Sequence, residues 1–373
     1  MHFVINQKDF VEMIHRAQSV VERKTTMPIL SHVLIRAEHG RIHASSTDLE
    51  MSLQESCVAE IEAEGSVALP VFLLHEILRK LPSSASVTVI KNIDENQVHI
   101  KSEKSRFKVP CLESKDFPDI KISTDLPFRF HINPTKLLEG VDLVRFSIAV
   151  DGGRYNLSGI YLHTSVENGD NFLDLVTSDG HRLTHTKVPL VAYTPNMPGI
   201  LISRKMAGEL FSILSKSEDP ILVAYSENQI VFEQGNLTFI SRLVDATFPA
   251  YQEMIPSCSY HGTINAKIFL DALERLSPIV SNEKSPHINI TLSGEMMKLH
   301  APSQGQGEAR DELLVNYNGP EMSLMMNLRY LIDIVSRLKE TEVQIDFENA
   351  SSGIVVSDMQ NPGTFCILMP MRG

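Results

Sequence analysis

The sequence has no long apolar run and no paired cysteines. Nowhere do about 18 uncharged apolar residues follow one another, and the segment Met1 to Phe10 has no basic stretch leading into an apolar one. We therefore expect a soluble, cytoplasmic protein without a membrane partner. The four cysteines lie far apart with no C-x-x-C pair, so neither a zinc ribbon nor a redox dithiol is expected. We predict no metal and no cofactor.

Positive charge is also scarce. The chain has 34 Lys and Arg residues against 46 Asp and Glu, which gives a formal charge of −12. Proteins that grip phosphate backbones usually carry a basic surface, so this balance disfavours simple DNA binding. It does not exclude DNA as a partner, because net charge does not describe the local field inside a groove or a ring.

Signatures of catalysis are missing. His75 begins a segment similar to the zinc helix H-E-x-x-H, but Arg79 stands where the second histidine must face the metal. There is no G-x-x-x-x-G-K-[ST] phosphate loop, no G-x-S-x-G nucleophile elbow and no Lys-Thr-Gly element. An S-x-x-K pattern, which places a serine one helical turn from a lysine, occurs at Ser105/Lys108, Ser281/Lys284 and Ser336/Lys339.

We therefore predict no catalytic residue, and two alternatives stay open. One is a serine hydrolase that uses Ser281 or Ser105 together with Ser178. The other is a monomeric peptide-binding adaptor without DNA.

The sequence does contain a repeat. Short alternating segments end in Ile-Asn at Asn6, Asn133 and Asn265, and a helical pattern follows each of them. Asparagine favours the N-cap because its side-chain oxygen accepts a hydrogen bond from an unpaired N–H of the first turn. The apolar positions after Asn6 form the stripe of a helix buried on one face: Phe10, Met13, Ile14, Ala17 and Val21.

A second helix is predicted in each copy, beginning after Pro70, Ser203 and Asn327. Counted from these residues, apolar side chains fall at offsets of 4, 7, 8 and 11 in all three copies, as far as Leu81 in the first and Leu338 in the third. An alternating strand is predicted after each helix, at Ser86 to Ile90, Ile221 to Tyr225 and Glu342 to Phe347.

Each copy thus holds two halves of the form strand, helix, strands, which is an α+β arrangement of helix on sheet. We predict three domains, at residues 1–125, 126–257 and 258–373. The boundaries fall in polar, proline-containing stretches.

Two further segments have a distinctive composition. The polar segment from Ser178 to Leu183 contains Asp-Gly, a hairpin dipeptide, and on its own it indicates a turn whose backbone groups Asp179 and His181 satisfy. The segment 365–373 is apolar and contains Met-Pro-Met. It is either the final core strand or part of a groove that accepts several apolar peptides, since methionine is flexible and polarizable.

Together these residues resemble one family, the β sliding clamp of bacterial DNA polymerase III. The matching segments span the chain: Met27-Pro28-Ile29-Leu30, Thr47-Asp48-Leu49-Glu50-Met51, Ser105-Arg106-Phe107, Asp116-Phe117-Pro118, Ser178 to Leu183, Leu243-Val244-Asp245, Phe248-Pro249-x-Tyr251, Ser281-Asn282-Glu283-Lys284 and Met369-Pro370-Met371-Arg372.

The resemblance implies three tandem copies of the DNA clamp (processivity fold) domain, with helices lining a ring and antiparallel sheets outside. It also implies a non-catalytic subunit that forms a head-to-tail homodimer, encircles duplex DNA and confers processivity. The implied partners are the DNA polymerase III alpha subunit, the clamp loader, and other polymerases and repair proteins that bind through short linear peptides.

The resemblance implies weak DNA contacts from cations that face the hole of the ring. A ring holds DNA topologically, so it needs few phosphate contacts and no base readout. The family's basic pair after the proline of the first copy is replaced here by Val71-Phe72, which puts DNA contact at that place in doubt. The residues implied to contact DNA are Lys24, Arg79, Arg204, Lys205, Arg275 and Arg337.

The resemblance further implies a partner groove and a subunit contact. Asn156, Glu253 and Gly373 depart from the family pattern, so we expect a groove with altered charge preference. Its wall would consist of Arg154, Tyr155, Leu157, Ser178, Gly180, His181, Arg182, Leu183, Pro249, Met254, Asn327, Tyr330, Ile367, Leu368, Met369, Pro370, Met371 and Arg372. The homodimer contact would join Phe107 and Val109 to Ile279 and Val280, which otherwise are ordinary core residues.

Overall fold

The computed structural model describes residues 1–93, 95–150, 152–338, 342–361 and 363–371. The sequence predictions at Lys339, Arg372 and Gly373 therefore lie outside the described residues. The chain divides into two compact units. The first comprises residues 1–138, 190–197 and 205–244, and the second comprises 139–189, 198–204 and 245–373. Within the described ranges, no helix is long and apolar enough to cross a membrane.

The helices begin where the repeat predicts. In the described part of the chain they are α1 (Gln7–Val20), α2 (Val71–Leu78), α3 (Pro134–Val144), α4 (Arg204–Ile213), α5 (Ala266–Val280) and α6 (Leu328–Val335). The predicted asparagine caps are confirmed, because each side-chain oxygen accepts from the first turn: Asn6 from Lys8, Asn133 from Lys136, Asn265 from Ile268 and Asn327 from Tyr330.

The second helix of a copy is shorter than its apolar stripe. α2 ends at Leu78 and α6 at Val335, whereas the stripe continues to Leu81 and Leu338. Both leucines are nevertheless buried, and the Leu81 N–H donates to the Leu78 carbonyl in a tight turn. Pro82 follows Leu81 and disfavours helical conformation at the residue before it. Periodicity therefore overestimates the length of these helices.

The first unit contains two antiparallel sheets. In spatial order, one consists of β5 (Glu60–Ala63), β1 (His2–Asn6), β7 (Ser86–Lys91), β8 (Gln97–Ser102) and β9 (Ser105–Pro110). The other consists of β6 (Gly65–Pro70), β2 (His32–Glu38), β3 (Arg41–Thr47), β4 (Met51–Val58), β17 (Leu237–Arg242), β16 (Gln229–Gln234), β15 (Ile221–Tyr225) and β10 (Phe128–Ile132). Leu53 of β4 lies opposite Phe239 of β17, so this sheet continues across the predicted boundary at residue 125.

The second unit also contains two antiparallel sheets. The larger has the order β14 (Ile200–Ser203), β11 (Gly159–Glu167), β12 (Asp170–Ser178), β13 (Arg182–Tyr193, of which 182–189 belong to this unit), β26 (Phe365–Leu368), β25 (Ile354–Asp358), β24 (Glu342–Phe347), β18 (Tyr260–Asn265) and β22 (Asn316–Tyr317). The smaller consists of β23 (Met322–Asn327), β19 (His287–Ser293), β20 (Met296–Ser303) and β21 (Gly307–Leu314).

The core of the second unit packs against one face of its last strand, β26. Phe269 and Leu273 of α5 are fully buried in a cluster that also contains Leu368. Burying a side chain of this size stabilises the fold by about 1.5–3 kcal/mol. Because successive strand residues point to opposite faces, Phe365 and Ile367 lie on the other side of β26 from this cluster.

Candidate functional site

The turn between β12 and β13 is held by its own side chains. Asp179 Oδ1 accepts from the backbone N–H groups of His181 (3.0 Å) and Arg182 (3.1 Å), and Ser178 Oγ donates to the Arg182 carbonyl (2.9 Å). Gly180 has a φ of +85°, a left-handed conformation that glycine adopts without steric cost. The prediction that Asp179 satisfies backbone groups of a turn is confirmed.

Arg182 fixes this turn to neighbouring elements. Its guanidinium donates to Asp179 Oδ2 (2.9 Å), Asp333 Oδ2 (2.8 Å) and the Phe146 carbonyl (3.0 Å), and it lies 4.2 Å from the centre of the Tyr330 ring. Because its charge is paired and hydrogen-bonded, Arg182 can be 92% buried without an unpaired cation. Burial and the nearby Asp179 carboxylate raise the pKa of Tyr330, so its hydroxyl stays protonated at neutral pH.

A cavity of about 160 Å³ opens beside the turn. Its lining is mainly apolar with a few polar groups, which suits the side chains of a bound peptide. All but two of the lining residues, Phe248 and Tyr251, were predicted from the sequence. The full lining is Leu157, Ser178, Gly180, His181, Arg182, Leu183, Phe248, Pro249, Tyr251, Met254, Ile367 and Met369.

Phe248 and Tyr251 belong to the connector between β17 and β18, residues 243–259. Within this connector, Tyr251–Met254 form a 3₁₀ helix. The Phe-Pro-x-Tyr motif could have identified them, because Pro249 between them was assigned to the groove. Burial, together with the nearby Asp174 carboxylate, raises the pKa of Tyr251. The connector therefore contributes a neutral hydroxyl beside the cavity.

Leu368, Arg154 and Tyr155 do not line the cavity. Leu368 is fully buried in the core, because strand alternation turns it away from the face that carries Ile367, and its prediction as a wall residue is corrected. Arg154 donates to the Asp179 carbonyl and so supports the turn from behind. Tyr155 is 60% exposed on the surface.

Of the other predicted groove residues, Tyr330 contacts two lining residues, His181 and Arg182. Asn327 caps α6 by accepting from the Tyr330 N–H (3.2 Å), and the Tyr330 ring stacks at 6.4 Å from that of His181. Pro370 and Met371 are half-buried. Arg372 lies outside the described residues.

The cations predicted to contact DNA have different surroundings in the first unit. Lys24 and Arg79 are exposed. Lys205 is ion-paired with Glu22 and Asp48, each at 2.6 Å. Burial alone would lower the pKa of Lys205, but hydrogen bonds to Asp48 and Glu22 outweigh burial and raise it. Lys205 therefore stays charged, but its charge is already compensated.

The cations of the second unit differ in the same way. Arg204 is exposed. Arg275 pairs with Asp311 (2.7 Å), and Arg337 lies 4.3 Å from the centre of the Phe146 ring while it donates to the Asp333 carbonyl (2.9 Å).

The position of the missing basic pair has a different cation nearby. Val71 is fully buried at the start of α2, and the guanidinium of Arg23 lies 4.7 Å from the centre of the Phe72 ring. Sequence reasoning did not assign Arg23. Its signal would have been the adjacent Lys24, which was assigned.

The residues predicted for the subunit contact are divided between surface and core. Val109 and Val280 are at most 1% exposed and pack inside the chain. Phe107 on β9 and Ile279 near the end of α5 keep part of their surface accessible. The subunit contact stays a prediction. Of these four residues, Phe107 and Ile279 are the two that can present apolar surface to a second copy.

The serine-hydrolase alternative requires a Ser178 hydroxyl that is available for chemistry. Ser178 Oγ donates to the Arg182 carbonyl inside the turn, which is a structural use of the hydroxyl. Among the described residues, no group of three or more His, Cys, Asp or Glu side chains could hold a metal ion.

Comparison with known proteins extends over the whole chain. Models of the DNA polymerase III beta subunit match it in order: the N-terminal domain over residues 1–121, the central domain over 131–250 and the C-terminal domain over 253–372. The beta sliding clamp of Caulobacter vibrioides is 31% identical over 373 residues, covering 100% of both chains, and that of Salmonella typhimurium is 28% identical with the same coverage.

Solved structures agree with the sequence comparisons. A Bartonella birtlesii sliding clamp bound to griselimycin is 34% identical with a TM-score of 0.93, and both chains are covered completely. A Pseudomonas aeruginosa sliding clamp bound to griselimycin is 27% identical with a TM-score of 0.93 and the same coverage. The chain therefore belongs to the beta sliding clamp family, the non-catalytic processivity subunits of DNA polymerase III.

Proposed function

We propose that two copies of this chain associate head to tail into a closed ring that encircles double-stranded DNA, with the helices toward the hole. A heterologous contact of this kind closes into a ring when the rotation between copies allows it. The exposed cations Lys24, Arg79 and Arg204 would make weak phosphate contacts that let the ring slide. The formal charge of −12 is compatible with this role, because topology rather than charge retains the DNA.

The cavity beside the Ser178–Leu183 turn would receive short linear peptides from the DNA polymerase III alpha subunit, the clamp loader, and other polymerases and repair proteins. This cavity, with its apolar walls and one fixed polar turn, is the observation that carries the proposal. The griselimycin complexes of two related clamps support it. A role in replication would place the protein in the cytoplasm.

Three domains at 1–125, 126–257 and 258–373 would build the ring, with the copies meeting through Phe107 and Ile279. The order and extent of the three matched family models support these boundaries.

DNA encirclement is tested by retention on DNA of different topology. The protein is loaded with its clamp loader and ATP onto nicked circular DNA, and half of the sample is then linearised with a restriction enzyme. We expect the protein to stay on the circle and to be lost from the linear DNA in gel filtration. Equal loss from both forms would contradict encirclement.

Peptide capture is tested with labelled griselimycin and a matched pair of methionine variants. Met369 lines the cavity and Met359 does not, while both are 49% exposed. We expect Met369→Ala to weaken griselimycin binding about tenfold, and Met359→Ala to leave it unchanged, in fluorescence anisotropy titrations. Absence of binding to the unaltered protein would contradict the proposed groove.

A further inference from the structure

A buried polar cluster lies on one face of the large sheet in the second unit. Asp174 of β12 is 2% exposed and His185 of β13 is 4% exposed. His185 Nε2 lies 2.7 Å from Asp174 Oδ1, and His185 Nδ1 lies 2.9 Å from the Gly363 carbonyl. Ser165 donates a further hydrogen bond to Asp174.

The connector that forms part of the groove rests on this cluster. The Tyr251 hydroxyl lies 2.8 Å from His163 Nε2, and the Tyr251 ring centre lies 5.7 Å from that of His163 and 5.9 Å from that of His185. Three residues earlier, the Phe248 ring stacks parallel to that of Tyr161 at 5.0 Å. The 3₁₀ helix Tyr251–Met254 is thus attached to the sheet through aromatic rings and one hydrogen bond.

The protonation states suit this hydrogen bond. His163 Nδ1 lies 3.3 Å from the Thr164 carbonyl, and the tautomer with its proton on Nδ1 satisfies both contacts, since Nε2 then accepts from the Tyr251 hydroxyl. Burial and the nearby Asp174 carboxylate raise the pKa of Tyr251, so its hydroxyl keeps the proton that it donates.

A second cavity borders the connector. A cavity of about 400 Å³ is lined by His163, Asp174, His185, Tyr251, Gln252 and Ile255, among others. Tyr251 also lines the peptide cavity, so its side chain borders both cavities. Tyr251 is 4% exposed and packs against the rings of His163, His185 and Phe248, but such packing is less directional than a hydrogen bond. The hydrogen bond between the Tyr251 hydroxyl and His163 Nε2 adds the directional contact that orients the Tyr251 side chain.

We propose that His163, which does not line the peptide cavity, is a positioning residue for peptide recognition: it holds Tyr251, and through it Pro249 and Met254, in the arrangement that binds a peptide. This inference rests on the proposed function of the groove. Without the hydrogen bond to His163, the Tyr251 side chain can move toward the second cavity. We therefore expect weaker peptide binding in a protein that remains folded.

The test measures binding of labelled griselimycin to the full-length protein and to four variants. Tyr251→Phe and His163→Leu each remove the hydrogen bond and are expected to weaken binding three- to tenfold. The double variant is expected to bind no more weakly than the weaker single variant, because both changes remove one interaction. His163→Gln places an amide near the former Nε2 position and is expected to restore most of the affinity.

The control removes a similar hydroxyl elsewhere. Tyr317 is 8% exposed and donates to the Pro320 carbonyl (3.0 Å), but it does not line the peptide cavity. Tyr317→Phe is expected to lower Tm about as much as Tyr251→Phe and to leave griselimycin affinity unchanged.

The outcomes separate this inference from the proposed function. If the unaltered protein does not bind griselimycin, the proposed groove is wrong. If it binds and Tyr251→Phe and His163→Leu bind equally well, the positioning role is overturned. Losses that add in the double variant would likewise overturn it, because Tyr251 and His163 would then act separately. If His163→Leu does not fold, His163→Gln and the nearly isosteric Tyr251→Phe still decide the question.

Discussion

At the scale of single residues, Gly180 combines a backbone constraint with a close contact. Its φ is +85°, and a Cβ added there would meet the guanidinium of Arg154. A left-handed conformation costs an L-residue about 1–2 kcal/mol. We expect Gly180→Ala to lower stability by about that amount and to weaken griselimycin binding about tenfold, because the displaced turn carries His181 and Arg182. Isothermal titration calorimetry measures the affinity, and thermal unfolding measures the stability.

Gly294 provides the matched control for this variant. It also has a positive φ, +59°, but a Cβ added there meets open space. Gly294→Ala should lower stability to a similar extent without changing griselimycin affinity. Equal losses of affinity in the two variants would show that the turn at Gly180 has no special role.

Asp174 makes the stability of the second unit depend on pH. Burial alone would raise the pKa of this carboxyl, but hydrogen bonds from His185 and Ser165 outweigh burial and hold the pKa below its usual value. Such a group stabilises the fold above its unfolded pKa of about 4, and this contribution is lost as the pH falls through the folded value. We expect Asp174→Asn to lower Tm clearly at pH 7, and the two Tm values to converge as the pH falls below about 4.

Differential scanning calorimetry over this range checks the pH dependence. Asp271 on α5 is exposed, and Asp271→Asn is the control, expected to leave Tm nearly unchanged at every pH. A constant difference in Tm between the unaltered protein and Asp174→Asn at all pH values would contradict the role assigned to the carboxylate.

At the scale of elements, the cap of α6 connects helix formation to the site. Asn327 accepts from the Tyr330 N–H, and the Tyr330 ring lies against Arg182. Removing an asparagine cap costs about 1 kcal/mol. We therefore expect Asn327→Ala to lower both Tm and griselimycin affinity, and Asn327→Ser, which can still cap, to retain most of both.

Asn265 caps α5 in the same way and serves as the control. Asn265→Ala should lower Tm by a similar amount without affecting griselimycin binding, because α5 does not line the cavity. If Asn327→Ser loses affinity while it keeps its Tm, Asn327 contacts the peptide directly, as the sequence resemblance implies.

The same elements show what the sequence predicts and where prediction stops. Helix starts follow from local chemistry, so Asn6 and Asn265 located α1 and α5 correctly. The ends of α2 and α6 did not follow from periodicity, since Leu81 and Leu338 are buried outside the helices. A stripe reports which residues are buried, and a turn can bury them as well as a helix can.

Prediction of the groove is limited in the same way for contacts between residues that are far apart in the sequence. The lining residues Ser178 and Gly180 to Leu183 were implied by the family resemblance of one continuous segment. The Phe-Pro-x-Tyr motif points to Tyr251, but its contact with His163 does not follow from the sequence, because it joins residues that are 88 positions apart. The pairing of Lys205 with Glu22 and Asp48 is hidden for the same reason. Long-range contacts of single side chains leave no periodic pattern in the sequence.

At the scale of the whole molecule, the ring proposal depends on the surface that one copy offers to another. Of the residues proposed for the contact, Ile279 is partly exposed at the end of α5, whereas Val280 is fully buried in the core. An aspartate at position 279 would place an unpaired charge in the contact, which is strongly unfavourable once water is excluded. Ile279 also packs against the core of the second unit, so the aspartate is expected to cost some stability, but less than it would at the fully buried Val280.

We therefore expect Ile279→Asp to shift the protein from the mass of two chains to that of one in analytical ultracentrifugation, with a lower Tm but a folded chain. Retention on nicked circular DNA should be lost at the same time, because an open ring cannot hold DNA topologically. Griselimycin binding should persist, since residue 279 does not line the cavity. Ile93→Asp, at a residue that is 94% exposed, is the control and should remain dimeric. A variant at 279 that stays dimeric and stays on circular DNA would show that the copies meet through another surface.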